Sequence, residues 1–162
     1  MLESLAQSIE GGAIYTMVTS TAWLWPLMEI LHFIGLSLLL GALIIIDGRM
    51  LGFFRSINIH ATHSLLPWVF VGFILNLVTG VLFFFGDPFR YAGHTGFQLK
   101  MVLVLVAGLN AALYYWKLHP VIGSWEANGD TTGLAKAVGA VSLVAWTGVL
   151  LLGRLIPYMS TG

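Results

Sequence analysis

Residues 23–49 read WLWPLMEILHFIGLSLLLGALIIIDGR, an apolar run long enough to cross a bilayer. About 20 apolar residues at a rise of ~1.5 Å each span the ~30 Å hydrocarbon layer. Lipid offers no partners to backbone N–H and C=O groups, so such a run is a helix or part of a closed barrel. It lacks the period-2 alternation of a barrel strand, which leaves the helix. Two groups interrupt its apolar character, Glu29 and His32, three residues apart and therefore on one helix face. An ionisable side chain at the centre of a span costs roughly 2.5–3.5 kcal/mol on insertion scales. A chain that keeps two such groups on one face has a use for that face.

Three more apolar segments follow. The expected fold is all-α, a bundle of four transmembrane helices in a single membrane domain covering 1–162, with spans at about 22–46, 64–85, 99–116 and 134–157. Pro67 falls in the first turn of the second span, where a missing N–H is tolerated, and Gly86-Asp87-Pro88 closes that span. Charged residues make up 9% of the chain, far below the ~25% of soluble domains, in keeping with burial in lipid. Seven basic residues balance seven acidic ones, and no basic stripe is present to hold phosphates, which argues against a nucleic-acid partner. The absence of cysteine excludes disulfides, thiolate metal sites and iron–sulfur clusters.

Leu2, Leu5, Ala6 and Ile9 share one face, predicting a short interfacial helix within 1–12. An even number of spans puts both termini on one side. Arg49, Arg55, Lys117 and Lys136 fall in the gaps on one side and Arg90, Lys100 and Arg154 on the other, so the count of basic residues places the termini outside the cytoplasm. Asn128-Gly129-Asp130 is a turn signal between the third and fourth spans. Ser37-x-x-x-Gly41 and Gly72-x-x-x-Asn76-x-x-x-Gly80 read as small-residue faces for close helix packing, with Asn76 placed to hydrogen-bond across the contact.

The five histidines carry the chemistry left over once packing is accounted for. His32 lies roughly 15 Å into the first span at helical rise, and His94 follows the second span at the same end of the bundle. His60 and His63 lead into the second span from the other end, where His119 follows the third. Histidines near both ends of a four-helix bundle can hold one or two b-type haems, each through paired imidazoles drawn from His32, His63, His94 and His119. Gly35, one turn beyond His32, would leave room for a flat macrocycle, and Glu29 would accept the imidazole N–H or carry protons. Arg90 and Lys100 are placed to meet haem propionates, a quinone or a lipid headgroup. Copper is the alternative metal: Met28 shares a face with His32 and Met101 lies early in the third span, a donor set that suits Cu(I). Glu29-x-x-His32 is half of a carboxylate-bridged di-iron motif whose other half is missing.

Leu31-His32 with Gly35 and Gly41, then Thr79-Gly80, then Tyr91-x-Gly93 and the run Leu99-Lys100-Met101-Val102-Leu103-Val104 resemble the core of the copper-resistance D (CopD-like) membrane family. The same stretch is similar to the HemJ family of haem-linked protoporphyrinogen oxidases, which has a histidine in its first helix. This chain departs from that pattern at Gln98, where a histidine before the third-helix lysine is expected. The resemblance covers about 31–112 and implies a shared bundle, a link to haem or copper, and functional roles for His32 and Lys100. It also implies a small bacterial inner-membrane protein. The expectation from the residues and the resemblance together is a haem b protein passing electrons to or from a quinone or a partner redox protein, as a homo-oligomer or a subunit of a redox complex. A copper-handling protein and a cofactor-free membrane anchor are the other two readings.

Overall fold

The computed structural model describes residues 2–126 and 129–158, and within them the chain is helical, with no strand. Two short helices come first, α1 (Leu2–Ile9) and α2 (Ala13–Ser20), followed by the long α3 (Leu24–Leu51). A helical turn α4 (Ile59–Thr62) leads through residues 63–65 into α5 (Leu66–Gly86). The short α6 (Pro88–Ala92) precedes α7 (Thr95–Leu113), which runs on through a π-helical turn at 114–118 into α8 (His119–Ile122). The last helix is α9 (Gly133–Leu155). Four helical stretches are long and apolar enough to cross a membrane: Leu24–Leu51, Ile59–Gly86, Thr95–Ile122 and Gly133–Leu155.

α3 is the central element. It packs along α5 on one side and α9 on the other, and α7 packs on α9. The α3–α5 crossing is set by two glycines: a Cβ on Gly35 would stand 2.9 Å from the Gly72 carbonyl oxygen, and one on Gly72 would stand 2.5 Å from that of Gly35. Only hydrogen fits at either position. Gly35 therefore does not leave space for a macrocycle, because the backbone of α5 fills it. Ser37 and Gly41, expected as packing residues, instead line a cavity, and a Cβ on Gly41 would meet nothing within 4 Å. Asn76 also differs from expectation, since its amide donates to Gly72 O on its own helix at 2.8 Å.

The first span reaches five residues beyond its expected end and takes Asp47 and Arg49 into the bundle. Arg49 is fully buried, with Nε donating to Ile57 O at 2.7 Å and Nη2 to Gly129 O at 3.0 Å. Those carbonyls, brought back by the loops, let a charge counted as interfacial lie inside. Gly52, in the left-handed conformation, then ends α3 with its N–H on Arg49 O, while Phe53 N–H reaches Gly48 O. Of the Asn128-Gly129-Asp130 turn, Asn128 lies outside the described residues, while Gly129 N–H bonds to Glu126 O at 3.1 Å. The N-terminal helix forms as expected and rests on α6. α2 was not foreseen. It docks on the end of α5, where Val18 and Trp25 close over Gly86.

Candidate functional site

A cavity of about 630 Å³ opens at the end of the bundle where α3 and α7 begin and α5 and α9 end. Its walls bring together His32 and Glu29 from α3, Arg90 and Tyr91 from α6, Lys100 from α7 and Arg154 from α9, among the rings of Trp25, Phe83 and Phe97. Glu29, His32, Arg90 and Lys100, separated by up to 71 positions in the chain, thus line one cavity.

The hydrogen bonds around His32 define its chemistry. Thr79 Oγ1 donates its only hydrogen to Leu75 O at 2.6 Å, closing a bond back along α5. The contact between Thr79 Oγ1 and His32 Nδ1, at 2.7 Å, then has the ring N–H as donor. A neutral imidazole holding its proton on Nδ1 presents a lone pair on Nε2, and among the described residues Nε2 has no hydrogen-bonding partner. Phe83 fixes the ring edge-on, with centroids 5.6 Å apart. Thr79 is thus the orienting partner of His32. The signal for it was in the sequence: Gly72 and Gly80 mark the face of α5 turned to α3, and Thr79 lies beside Gly80.

Glu29 does not take the role of accepting from His32. Its carboxylate accepts from Trp25 Nε1 at 3.2 Å instead, one turn back along α3. Lys100 lies across α9 at Gly153, where a Cβ would come within 3.2 Å of Nζ, and among the described residues its ammonium has no hydrogen-bond acceptor. Arg154 sits over the Tyr158 ring, 5.6 Å from the centroid. Arg90 leans toward Asp87 at 3.9 Å, an exposed pairing of little energetic weight. Burial pushes the Tyr91 phenol above its ordinary value, so it stays a neutral hydrogen-bond donor across the physiological range.

The other histidines are placed elsewhere. His94 is buried and caps α7, its Nδ1 accepting from Gly96 N–H at 3.0 Å. His63 and His119 meet at the opposite end of the bundle, with ring centroids 5.5 Å apart, and Tyr114 O–H lies 3.3 Å from His63 Nε2. The π-helical turn at 114–118 and His119 after it bring the rings of Tyr114 and His119 to His63, with Tyr115 stacked on His119. His60 contacts Trp125 O at 3.1 Å. Among the described residues His32 is therefore the one imidazole lining its cavity, with no second histidine paired with it there. Met28 is buried in the helix packing and does not line the cavity, so it stands apart from the His32 site.

A second cavity, of about 490 Å³, lies between α5 and α7 over α3 and α9, and Asp47 lines it. Asp47 escaped the sequence reading because it follows an apolar run and precedes a glycine, where a span would ordinarily end.

No protein-family model, no curated protein and no solved structure matches the chain.

Proposed function

We propose that the chain is an integral membrane protein that binds haem b in the His32 cavity and serves in one-electron transfer. The observation that carries this reading is the 2.7 Å contact of His32 Nδ1 with Thr79 Oγ1, a hydroxyl that also lies 2.6 Å from Leu75 O. With Nδ1–H given to Thr79, the Nε2 lone pair of His32 would hold the haem iron, and the Thr79 bond holds the ring in one orientation. The remaining features suit the same group. A volume of about 630 Å³ lies within the ~300–1,000 Å³ range of cofactor pockets. Aromatic rings wall the cavity, and Lys100, Arg90 and Arg154 offer cations to two propionates. Non-covalent haem needs no cysteine, and the chain has none.

When bound, haem supplies reversible one-electron chemistry. The chain's residues do the rest. Thr79 orients the ligand, the rings exclude water, and Lys100 balances anionic charge within the span. The protein supplies one imidazole to this site. Its electron partner would be a membrane quinone or another redox protein.

The test is haem reconstitution of the purified protein in detergent, read by the Soret band. His32→Ala should abolish the band, and Thr79→Val, which removes the orienting hydroxyl, should weaken haem affinity about 10–100-fold. His63→Ala and His119→Ala should leave it intact. A full Soret band in His32→Ala would overturn the assignment.

A further inference from the structure

The cavity between α5 and α7 is walled by apolar side chains except at a few points, and it is separate from the His32 site. There α5 and the turn that follows α7 approach each other through Phe70 and Tyr115, whose rings are 6.0 Å apart. Both rings are exposed, as is Gly108, so the cavity opens sideways, toward the surface that faces lipid in a membrane-spanning bundle. Asp47 lines its floor, 4% exposed, and among the described residues its Oδ2 has no hydrogen-bonding partner. Ser142 of α9 sits beside the same carboxyl. Tyr114 lines the cavity as well, and its hydroxyl meets His63 Nε2, which stacks toward the exposed His119.

We infer that this cavity binds the ring of an isoprenoid quinone, entering laterally from the bilayer, with Asp47 hydrogen-bonded to a ring oxygen. An acyl chain would fill the space but leave Oδ2 without a partner, at the cost of a buried unsatisfied polar group. An anionic headgroup would meet a carboxyl and no cation. A metal ion finds no group of three His, Asp or Glu ligands among the described residues. A neutral ring bearing oxygens at opposite edges meets both requirements, apolar walls and a polar floor. A carboxyl can accept from a hydroquinone hydroxyl or, when protonated, donate to a quinone carbonyl. The Tyr114–His63 contact and the His63–His119 ring pair lie between the cavity and the bundle end. The biological meaning rests on the redox role proposed above, but the binding does not depend on haem.

The test is titration of the purified protein in detergent with decylubiquinone, read as quenching of tryptophan fluorescence. Trp146 lines the cavity and serves as the reporter. Saturable quenching is expected, most of it lost in Trp146→Phe. Gly108→Leu should weaken binding at least tenfold, because a Cβ there meets nothing within 4 Å and the side chain fills the cavity without disturbing the helices. Asp47→Leu should weaken it about tenfold, and Asp47→Asn, which keeps a donor, should recover most of that loss. His32→Ala should bind the quinone as wild type does, so failure of the haem assignment would be seen separately. Equal binding by decylbenzene, which lacks ring oxygens, would make the cavity an acyl-chain space and overturn the inference. So would wild-type affinity in both Gly108→Leu and Asp47→Leu.

Discussion

Arg49 and Lys100 are cations in spans that touch the same helix, α9 or its preceding loop, yet the protein treats them in opposite ways. Arg49 is fully buried and its guanidinium is held by the carbonyls of Ile57 and Gly129, which the two loops at that end deliver to it. Lys100 lies against Gly153 on the wall of an open cavity, beside Arg90 and Arg154, with no acceptor among the described residues. One charge closes its end of the bundle; the other lines a cavity at the opposite end. Burial alone therefore does not mark a functional charge. What marks it is hydrogen-bonding capacity that the fold leaves unused.

Exchanging the two positions for apolar residues should separate the roles most sharply. Arg49→Met removes the donor of two part-buried carbonyls and the buried guanidinium between the loops, roughly 1–3 kcal/mol in all, and should lower the thermal midpoint in detergent by several degrees. Lys100→Met should leave that midpoint unchanged or raised, because no partner is stranded, while weakening haem retention. Comparable losses of stability in both variants would remove the distinction.

The glycines offer a second contrast of the same kind. Gly72→Ala forces a Cβ to 2.5 Å from Gly35 O and 2.7 Å from Leu39 N, so α3 and α5 must separate and stability should fall by about 1–3 kcal/mol. Gly41→Ala meets nothing within 4 Å and should fold as wild type, narrowing the His32 cavity only. Unfolding curves of the two variants in one detergent decide this.

The smallest effect is expected at the surface of the Arg49 end. There Asp130 accepts from Lys136 Nζ, at 3.1 Å to Oδ1, and lies 3.4 Å from Arg55. The hydrogen bond from Lys136, with the Thr131 N–H and the nearby cations, holds the Asp130 carboxyl below its ordinary value. A depressed folded-state value means that its contribution is complete above the ordinary aspartate range of ~3.9 and is lost as pH falls below that range toward the folded value. Asp130→Asn should therefore match wild type at the acid end of a pH–stability curve and fall slightly below it at neutral pH. Added salt should close the gap, since the pair is exposed. A difference that persists at the acid end would mean that Asp130 acts through something other than these charges.

The His32 cavity was legible in part. The depth of His32, its spacing from Glu29 and the cationic start of the third span all point to one face at one end, and the cavity collects these residues. Spacing points to Glu29 as the partner of His32, but the contact is made by Thr79 of α5, on the face that Gly72 and Gly80 mark. Helical spacing ranks neighbours within one helix, whereas hydrogen bonds across a crossing depend on how closely two backbones approach. Gly35 and Gly72 set that approach, and a glycine in isolation reads equally as a contact or as a gap.

Four apolar runs of sufficient length, the absence of strand periodicity and the even number of spans follow from composition and pattern, because lipid leaves the backbone few ways to satisfy itself. The order of the helices around the bundle does not follow from pattern. α3 lies between α5 and α9, and α7 and α5 are left apart, because the small-residue crossing and the α9 contacts take both flanks of α3. That arrangement decides which side chains face which: it brings Lys100 and Arg154 to His32, sends His63 to His119, and leaves Asp47 lining a cavity. Chain spacing determines the face on which a residue lies; the packing of that face against others determines whether its polar atoms are satisfied or free to act.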